Sequence, residues 1–252
     1  MKTILLKFAG PLQSWGTDSH FETRFTDFYP SKSAVIGLIA ASFGIKREED
    51  QKIKELNKLN FATRVDQKGS LLQDYHIAKK YKKNGDFDRN YVTNRYYLED
   101  AVSVVAVGCD DEDLMEKIDK AIKNPYFQNF MGRRSLPMTA DFYIKNTEED
   151  PIRAIKNLKW QAAPWYKESF KHKRTMNLHA YCDADLIQGE DRRQRRDRVK
   201  SFSQKNRQFD FRFESRLTIE VENDRYQDLP LATEHDVFME IGGEDVSIES
   251  RN

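Results

Sequence analysis

The sequence predicts an α+β fold, built as a modified ferredoxin-like domain with an extended β-hairpin thumb and a β-rich C-terminal part. Three observations support this prediction. Strand-like segments alternate with helical ones up to about residue 150, strands dominate the rest of the chain, and a polar, basic excursion at residues 79–95 interrupts the apolar pattern. We therefore expect a ferredoxin-like unit at 1–150 and a β-rich part at 151–252.

The composition is that of a folded protein with almost balanced charge. Of its 252 residues 38% are apolar, and 42 Lys and Arg face 41 Asp and Glu. This apolar content excludes a disordered chain. The two cysteines lie in apolar segments, no signal-peptide pattern precedes Ile4, and the longest apolar stretch, residues 34–45, is shorter than the roughly 20 residues that cross a bilayer. We expect a cytoplasmic protein with no disulfide framework and no membrane segment.

The first elements are predicted from the spacing of apolar residues and from the residues that typically end a strand or begin a helix. Ile4, Leu6 and Phe8 alternate as an opening strand, which Gly10-Pro11 ends. A helix is predicted over 30–44, with Ser31 as its N-cap, and its nearly uniform apolar surface requires burial.

The later elements are predicted in the same way. Strands at 60–66 and 70–78 are expected to pair with each other around the turn at 67–69. The acids at 110 and 111 suit the beginning of a helix, because its amino end is positive. The remaining predicted elements are strands at 101–107, 140–146, 176–182 and 209–222, and helices at 111–122 and 151–158.

The excursion at 79–95 predicts a two-stranded arm, because Asn84-Gly85 favours a tight hairpin turn. Aromatic residues are interleaved with its cations, as in proteins that bind single strands by stacking between phosphate contacts. The alternative is an exposed loop without a role. The cations of this predicted thumb are Lys79, Lys80, Lys82, Lys83, Arg89 and Arg95.

The densest positive charge lies at 192–207, with eight Lys or Arg and one acid, Asp197. Such a stripe is expected for a polyphosphate partner, although a solvated surface is the alternative. It leads into Phe209, Phe211 and Phe213, whose spacing puts them on one face of a strand. The tail from residue 217 has ten acids against two arginines.

Three further segments offer donors for phosphate. Glycines bracket residues 10–16 and begin the loop at 132–137, where the backbone could approach a ligand closely. The amino end of the helix at 30–44 adds hydroxyls and Lys32 to its unpaired N–H groups. Each segment could instead be a plain turn or cap.

Five segments together resemble the CasD family of type I-E CRISPR Cascade complexes, within the RAMP superfamily. They are GPLQSWG (10–16), PSKSAVIGLIAASFGI (30–45), YYLEDAVSVVAV (96–107), NPYFQNFMGRRSLP (124–137) and RRQRRDRVKSF (192–202). The similarity runs from Lys2 to about residue 222. The chain has Ser31 and Ala34 where the family usually has Thr and Gly, and Leu136 replaces a usual Cys, so no thiol chemistry is expected in that loop.

The resemblance implies a non-catalytic subunit of an RNA-guided antiviral complex. The sequence itself has no CxxC pair, HExxH motif or calcium-binding loop, so neither a metal nor a cofactor is expected. The implied partners are the 5′ handle of the CRISPR RNA, the CasC backbone filament that the subunit caps, the large subunit CasA, and target DNA through the assembled complex. In the family the thumb reaches toward the neighbouring backbone subunit, a role that would fall to residues 79–95 here.

The predicted RNA contacts fall into two groups. Gln13, Ser14 and Trp15 are expected to line bases, with Trp15 either stacking on one or filling the core. Phosphates are expected to meet donors from three segments: Lys32, Ser33, Arg133, Arg134, Ser135, Arg192, Arg193, Arg195, Arg196 and Arg198.

Two other function classes remain open. A metal-independent endoribonuclease that processes CRISPR precursor RNA needs a base for a ribose hydroxyl and a cation for the phosphorane. His172 between two lysines is the best candidate, and Tyr29 with Lys32 is the second. A protein-only module could dock through the acidic tail. The histidines of the chain are His20, His76, His172, His179 and His235.

Overall fold

The computed structural model describes residues 1–16, 22–188 and 191–228, and within them the fold is mixed α+β. The strands are β1 (Lys2–Ala9), β2 (Leu12–Gln13), β3 (Thr23–Arg24), β4 (Asn60–Gln67), β5 (Ser70–Tyr81), β6 (Phe87–Glu99), β7 (Val102–Cys109), β8 (Tyr143–Thr147), β9 (Thr175–Asp183), β10 (Arg192–Ser201) and β11 (Gln208–Glu222). The α-helices are α1 (Lys32–Ser42), α2 (Asp50–Glu55), α3 (Glu112–Lys123), α4 (Pro151–Asn157) and α5 (Pro164–Ser169).

A seven-stranded antiparallel sheet organises the molecule, in the order β10-β11-β9-β4-β7-β1-β8. Strand β4 pairs with β7 on one side and with β9 on the other. The strands of the C-terminal part therefore extend the sheet that the first 150 residues begin.

Both faces of the sheet are covered around β1, β4 and β7, which explains the apolar sequences of these strands. Ile4, Leu6 and Phe8 of β1 pack with α1 and α3 on one face. Leu5 points to the other face, where α4 and Trp160 cover it. Every residue of β7 is buried, so its sequence reads as a continuous apolar run.

The helix ends follow the predicted capping chemistry. Ser31 Oγ accepts the Ala34 N–H of α1 at 3.3 Å, and an Asp111 carboxylate oxygen accepts the Leu114 N–H of α3 at 2.9 Å. Helix α1 has eight buried residues among its eleven, as its apolar sequence requires.

The predicted pairing of the strands at 60–66 and 70–78 is wrong, although both strands exist. Strand β4 is buried along most of its length and lies inside the large sheet, whereas β5 is mostly exposed and pairs with β6. A Cβ on Gly69, between them, would lie 2.5 Å from the Glu99 carbonyl oxygen. Because β4 and β5 lie in different sheets, the chain passes at residues 68–69 from the large sheet to a second sheet, which is formed by β2, β3, β5 and β6.

Some elements and residues fall outside the sequence-based prediction. Strand β10 lies in the basic run, for which the sequence pattern predicts no regular structure, and α2 and α5 are also additional. His20, His235 and most of the acidic tail, from residue 229, lie outside the described residues. In the part of the chain that is described, no helix is long and apolar enough to cross a membrane.

Candidate nucleic-acid interface

Strand β10 separates the arginines of the basic run into two sets. Its burial alternates, so that Asp197, Val199 and Ser201 are buried while Arg196 and Arg198 are exposed. The inner set, Arg193 and Arg195, faces carboxylates of neighbouring elements. The outer set, Arg192, Arg196 and Arg198, is exposed, and none of its members forms an ion pair with another described residue.

The inner arginines belong to a cluster in which four cations meet four carboxylates. Arg212 is its centre: its guanidinium donates to Asp197 at 2.6 Å, to Asp183 at 3.1 Å and to Glu214 at 2.9 Å. The charge cluster comprises Lys32, Arg193, Arg195 and Arg212 with Asp27, Asp183, Asp197 and Glu214.

Burial shapes the protonation of this cluster. Desolvation opposes the charge of Arg212, but Asp197 and the other carboxylates outweigh it and raise the Arg212 pKa. Burial lowers the pKa of Lys32, and Asp183 offsets part of that effect. Because equal numbers of opposite charges meet here, the cluster contributes no net charge when all of its groups are ionised.

Two tyrosines pack beside the cluster. The rings of Tyr29 and Tyr181 stack with centroids 4.0 Å apart, and the Arg195 guanidinium lies 4.6 Å from the Tyr29 ring centroid. The Tyr29 hydroxyl donates to Glu214 at 2.9 Å and accepts from Arg193. Burial, with Glu214 adding to it, raises the pKa of Tyr29, so this hydroxyl stays protonated.

The amino end of α1 is already occupied by carboxylates. The Lys32 N–H donates to Asp197 at 3.0 Å, and Lys32 Nζ donates to Asp183 at 2.8 Å. Ser33 is also buried, with its hydroxyl 3.1 Å from that of Ser31. The anions at this helix end are therefore the side chains of Asp197 and Asp183. A phosphate could reach Lys32 only by displacing its ion pair with Asp183.

The segments at 10–16 and 132–137 meet in space. The Ser14 N–H donates to the Met131 carbonyl at 3.2 Å. Gly132 has φ +85°, and a Cβ there would lie 1.7 Å from the Ser14 carbonyl oxygen. Only glycine fits this close approach, so Gly132 joins the two segments rather than opening a cradle for a ligand.

Trp15 belongs to the hydrophobic core, which is one of the two roles that the sequence left open for it. Trp15 is 2% exposed, packs edge-on against Phe8 at 5.1 Å and donates from Nε1 to the Gln13 side-chain oxygen at 2.9 Å. Gln13 in turn donates to the Ala101 carbonyl at 2.6 Å, and the Ser14 hydroxyl points to the Tyr96 carbonyl. The expectation that these three side chains line RNA bases is corrected, because the fold buries them.

The loop after Gly132 has one anchored and one exposed cation. Arg133 donates to the Tyr96 carbonyl at 3.1 Å and lies 4.0 Å from the Tyr97 ring centroid. Arg134 and Ser135 are exposed. Arg134 is therefore the cation of this loop that solvent and a ligand can reach.

The predicted arm exists and is longer than residues 79–95. Strands β5 and β6 pair from Ser70 opposite Glu99 to Tyr81 opposite Phe87, and the turn between them has Gly85 at φ +90°. Asp88 pairs with Lys80 at 3.0 Å and lies 3.8 Å from Arg89, while Arg95 contacts His76 at 3.3 Å. The remaining cations of the predicted thumb, Lys79, Lys82 and Lys83, are exposed.

The arm also presents apolar side chains that sequence reasoning missed. Tyr75 is 61% exposed, and Ile77 lies directly opposite Val92 with both exposed. The period-two spacing of Leu71, Tyr75 and Ile77 is the signal that could have found them, but their environment depends on the pairing of β5 away from the large sheet. The exposed apolar residues of the arm are Leu71, Tyr75, Ile77, Tyr81, Phe87 and Val92.

Strand β11 reverses the usual burial of an amphipathic strand. The predicted alternation is present, yet Phe211 and Phe213 are 54% and 52% exposed while Arg212 and Glu214 are buried in the charge cluster. The exposed phenylalanines lie on the hairpin that also carries the outer arginines, since Gln194 of β10 is opposite Phe213.

The residues considered for catalysis do not form a common site. His172 is exposed, Lys171 pairs with Glu168 at 3.5 Å, and Lys173 lies over the Phe170 ring. Of the second candidate pair, Lys32 belongs to the charge cluster and Tyr29 packs beside it, and the two are bonded to different carboxylates, Asp183 and Glu214.

Comparison with known proteins gives concordant results. A family model described as "CRISPR-associated protein (Cas_Cas5)" matches residues 3–228. The chain is 29% identical over 180 residues to the CRISPR system Cascade subunit CasD of Escherichia coli (strain K12), covering 66% of this chain and 80% of that protein.

Solved structures show the same relationship. A chain of a "CRISPR RNA-guided surveillance complex" superposes with a TM-score of 0.71 at 27% identity, covering 87% of this chain and 91% of the other. A second structure, described as "Crystal structure of Cas protein", has a TM-score of 0.61 at 28% identity, with coverage of 91% and 100%.

Proposed function

The chain belongs to the Cas5 family of CRISPR-associated proteins, and from this premise we propose that it is a non-catalytic subunit of a type I-E Cascade complex. Its task is to bind the 5′ handle of the CRISPR RNA in the cytoplasm and to cap the CasC filament, next to CasA. Support comes from the similarity to a Cascade subunit and to a chain of an RNA-guided surveillance complex.

The observation that carries the RNA-binding role is the separation of the arginines on β10. Arg193 and Arg195 form ion pairs with carboxylates of the charge cluster, although Arg193 is itself half-exposed, whereas the outer set, Arg192, Arg196 and Arg198, is exposed and forms no ion pair with a described residue. Exposed cations along one strand suit a phosphate backbone, because each cation that binds a phosphate releases condensed counterions. Arg134 adds an exposed cation from the loop after Gly132.

The arm formed by β5 and β6 is proposed to be the thumb that binds the neighbouring CasC subunit. It combines exposed lysines near the turn with the exposed Tyr75, Ile77 and Val92. Several large apolar side chains exposed on one hairpin mark a surface that a partner covers.

A ferredoxin-like unit is proposed for the first 150 residues, with 151–252 as the β-rich addition. Its support is the chain order β1-α1-β4-β7-α3-β8, since strand, helix, two strands, helix and strand is the order of a split βαβ fold. Those four strands are neighbours in the sheet, and β9 adds the C-terminal strands at the β4 edge.

The bound RNA is proposed to remain intact. A ribonuclease needs a base at the ribose hydroxyl, yet Tyr29 has a raised pKa and donates to Glu214. Incubation of repeat-containing precursor RNA with the purified chain in chelator should leave the RNA uncut. Site-specific cleavage that is lost in a His172→Ala variant would favour the endoribonuclease.

Co-purification tests the proposed assembly. The tagged chain is expressed with CasC, CasA and the other Cascade subunits and a CRISPR array, and the RNA that elutes with it is sequenced from its 5′ end. A discrete small RNA with a constant 5′ end, together with CasC, is expected. Recovery of the subunits without that RNA would contradict handle binding.

A further inference from the structure

A cleft of about 1180 Å³ lies next to the outer arginines. Its wall includes Arg196 and Gln194 of β10 and Phe211 of β11, and other parts come from Phe28, Lys68 and β9. Its volume exceeds the range of about 300–1,000 Å³ that is typical of small-ligand pockets, so it has room for a nucleotide.

Two of the aromatic side chains that line the cleft are left uncovered by the fold. Phe28 is 63% exposed and Phe211 is 54% exposed. By contrast, Tyr29 and Tyr181 in the same wall are stacked on each other. Large exposed phenylalanines that border a cleft are suited to an unstacked nucleobase, whose face they can cover without reading its sequence.

The accessible charge of the cleft is positive. Its two carboxylates are paired, Asp27 with Arg195 at 2.7 Å and Asp66 with the buried Arg64 at 2.7 Å. Lys68 and Arg196 are exposed, and neither forms an ion pair with a described residue. Burial, together with the charge of Arg216, lowers the pKa of His179, which therefore stays neutral near pH 7.

We infer that this cleft binds an unstacked nucleotide of single-stranded RNA, with its base on Phe28 and Phe211 and its phosphates at Lys68 and Arg196. The inference rests on the proposed function and deepens it, because it names the site at which one base of the bound RNA is unstacked from its neighbours and held by the protein. Since the acids of the cleft are paired and its cations are exposed, the cleft favours an anionic group that lies next to an aromatic face, as a phosphate lies next to its base.

The test is fluorescence anisotropy with a labelled single-stranded oligoribonucleotide of mixed sequence and the full chain. Phe28→Ala and Phe211→Ala should each weaken binding about 5- to 150-fold, the range for losing one base–aromatic stack. Phe211→Tyr should retain the affinity, because the ring remains. Phe213→Ala is the matched control: Phe213 is equally exposed on the same strand and does not line the cleft.

Two further measurements separate stacking from other causes. The slope of log affinity against log salt should be unchanged in Phe211→Ala, because the variant keeps every cation that binds a phosphate. An abasic oligomer of the same length should bind equally to the parent chain and to Phe211→Ala. Thermal unfolding of each variant confirms that these exposed positions leave the fold intact.

The outcomes distinguish this inference from the proposed function. If the parent chain binds RNA but Phe28→Ala and Phe211→Ala bind as tightly, the cleft does not hold a base and the inference is overturned while handle binding stands. If the parent chain does not bind RNA at all, the proposed function falls and the inference falls with it. An equal loss of affinity in Phe213→Ala would also overturn the assignment to the cleft.

Discussion

The Asp197 carboxylate accepts the backbone N–H of Lys32 at 3.0 Å, so the one acid of the basic run lies at the amino end of helix α1. The same carboxylate receives two hydrogen bonds from Arg212. Asp197 therefore links the edge strand β10 to a buried helix, and the arginines next to it in sequence are oriented by that link.

Replacing Asp197 by Asn should destabilise the fold. The side chain is fully buried, and removal of its charge deprives Arg212 of the carboxylate that accepts two of its hydrogen bonds. A broken buried ion pair costs about 3–5 kcal/mol. Urea unfolding measures the change in the free energy of unfolding. Asp210→Asn is the control, because Asp210 is partly exposed and pairs with Lys200 at the surface. A stability equal to that of the parent chain would contradict the assigned role of Asp197.

Replacing Trp15 by Ala should reduce stability without weakening RNA binding by the folded protein. Trp15 fills the core against Phe8, and truncation of a buried aromatic side chain costs about 3–5 kcal/mol. Thermal unfolding and RNA titration below the transition measure the two effects separately. Trp165→Ala, at a position 60% exposed, should change neither. Intact stability with lost RNA affinity would show that Trp15 contacts RNA.

Gly132→Ala should be much more damaging than Gly85→Ala. Both glycines have positive φ, which costs a non-glycine residue about 1–2 kcal/mol. At Gly85 no atom lies within 4 Å of the added Cβ, whereas at Gly132 it would overlap the Ser14 carbonyl oxygen. Chemical unfolding should show the larger loss of stability for Gly132→Ala. Equal losses would mean that the close approach to Ser14 contributes nothing.

Shortening the arm should abolish assembly with CasC and preserve the fold. Ile77 and Val92 are opposite each other, so residues 78–91 can be replaced by Asn-Gly while the register of the remaining hairpin is kept. The large sheet contains neither β5 nor β6. Pull-down with CasC measures assembly, and thermal unfolding checks the fold. Normal assembly of the shortened chain with CasC would show that the arm is not part of the interface.

A second variant tests the apolar surface of the arm alone. Ile77→Lys keeps the hairpin length and adds a charge at a position that is 50% exposed. Binding to CasC should weaken, because burying an unpaired charge in an interface is costly. Lys79→Gln, on the same strand, distinguishes the effect of reduced apolar surface from that of reduced positive charge. Unchanged binding of Ile77→Lys to CasC would exclude this apolar surface from the interface.

Local chemistry explains what the sequence could predict. The ends of α1 and α3 follow from Ser31 and Asp111, whose caps involve residues only three positions away. The opening strand β1 is predicted by the alternation of its apolar residues, and the buried strand β7 by its continuous apolar run. The hairpin turn at Gly85 follows from a dipeptide that favours positive φ.

Long-range contacts explain what it could not predict. Lys32 is 165 residues from Asp197, and Asp27 is 168 residues from Arg195. The sequence therefore could not reveal that Arg193 and Arg195 form ion pairs while Arg196 and Arg198 form none with a described residue. The alternation in β11 is visible in the sequence, but its buried face is the charged one because the cluster pairs those charges. For Trp15, only the positions of its neighbours decide between core and surface.

Salt dependence of RNA binding tests the central claim, that the outer arginines of β10 bind phosphate. The affinity of the full chain for a single-stranded oligoribonucleotide is measured against salt for two variants of equal charge. One carries Arg192→Gln, Arg196→Gln and Arg198→Gln, and the other carries Lys54→Gln, Arg153→Gln and Lys156→Gln at exposed positions elsewhere. The β10 variant should flatten the slope by about 0.7 for each phosphate that it no longer binds, while the control keeps the parent slope. The same slope in the β10 variant and the parent chain would contradict the claim.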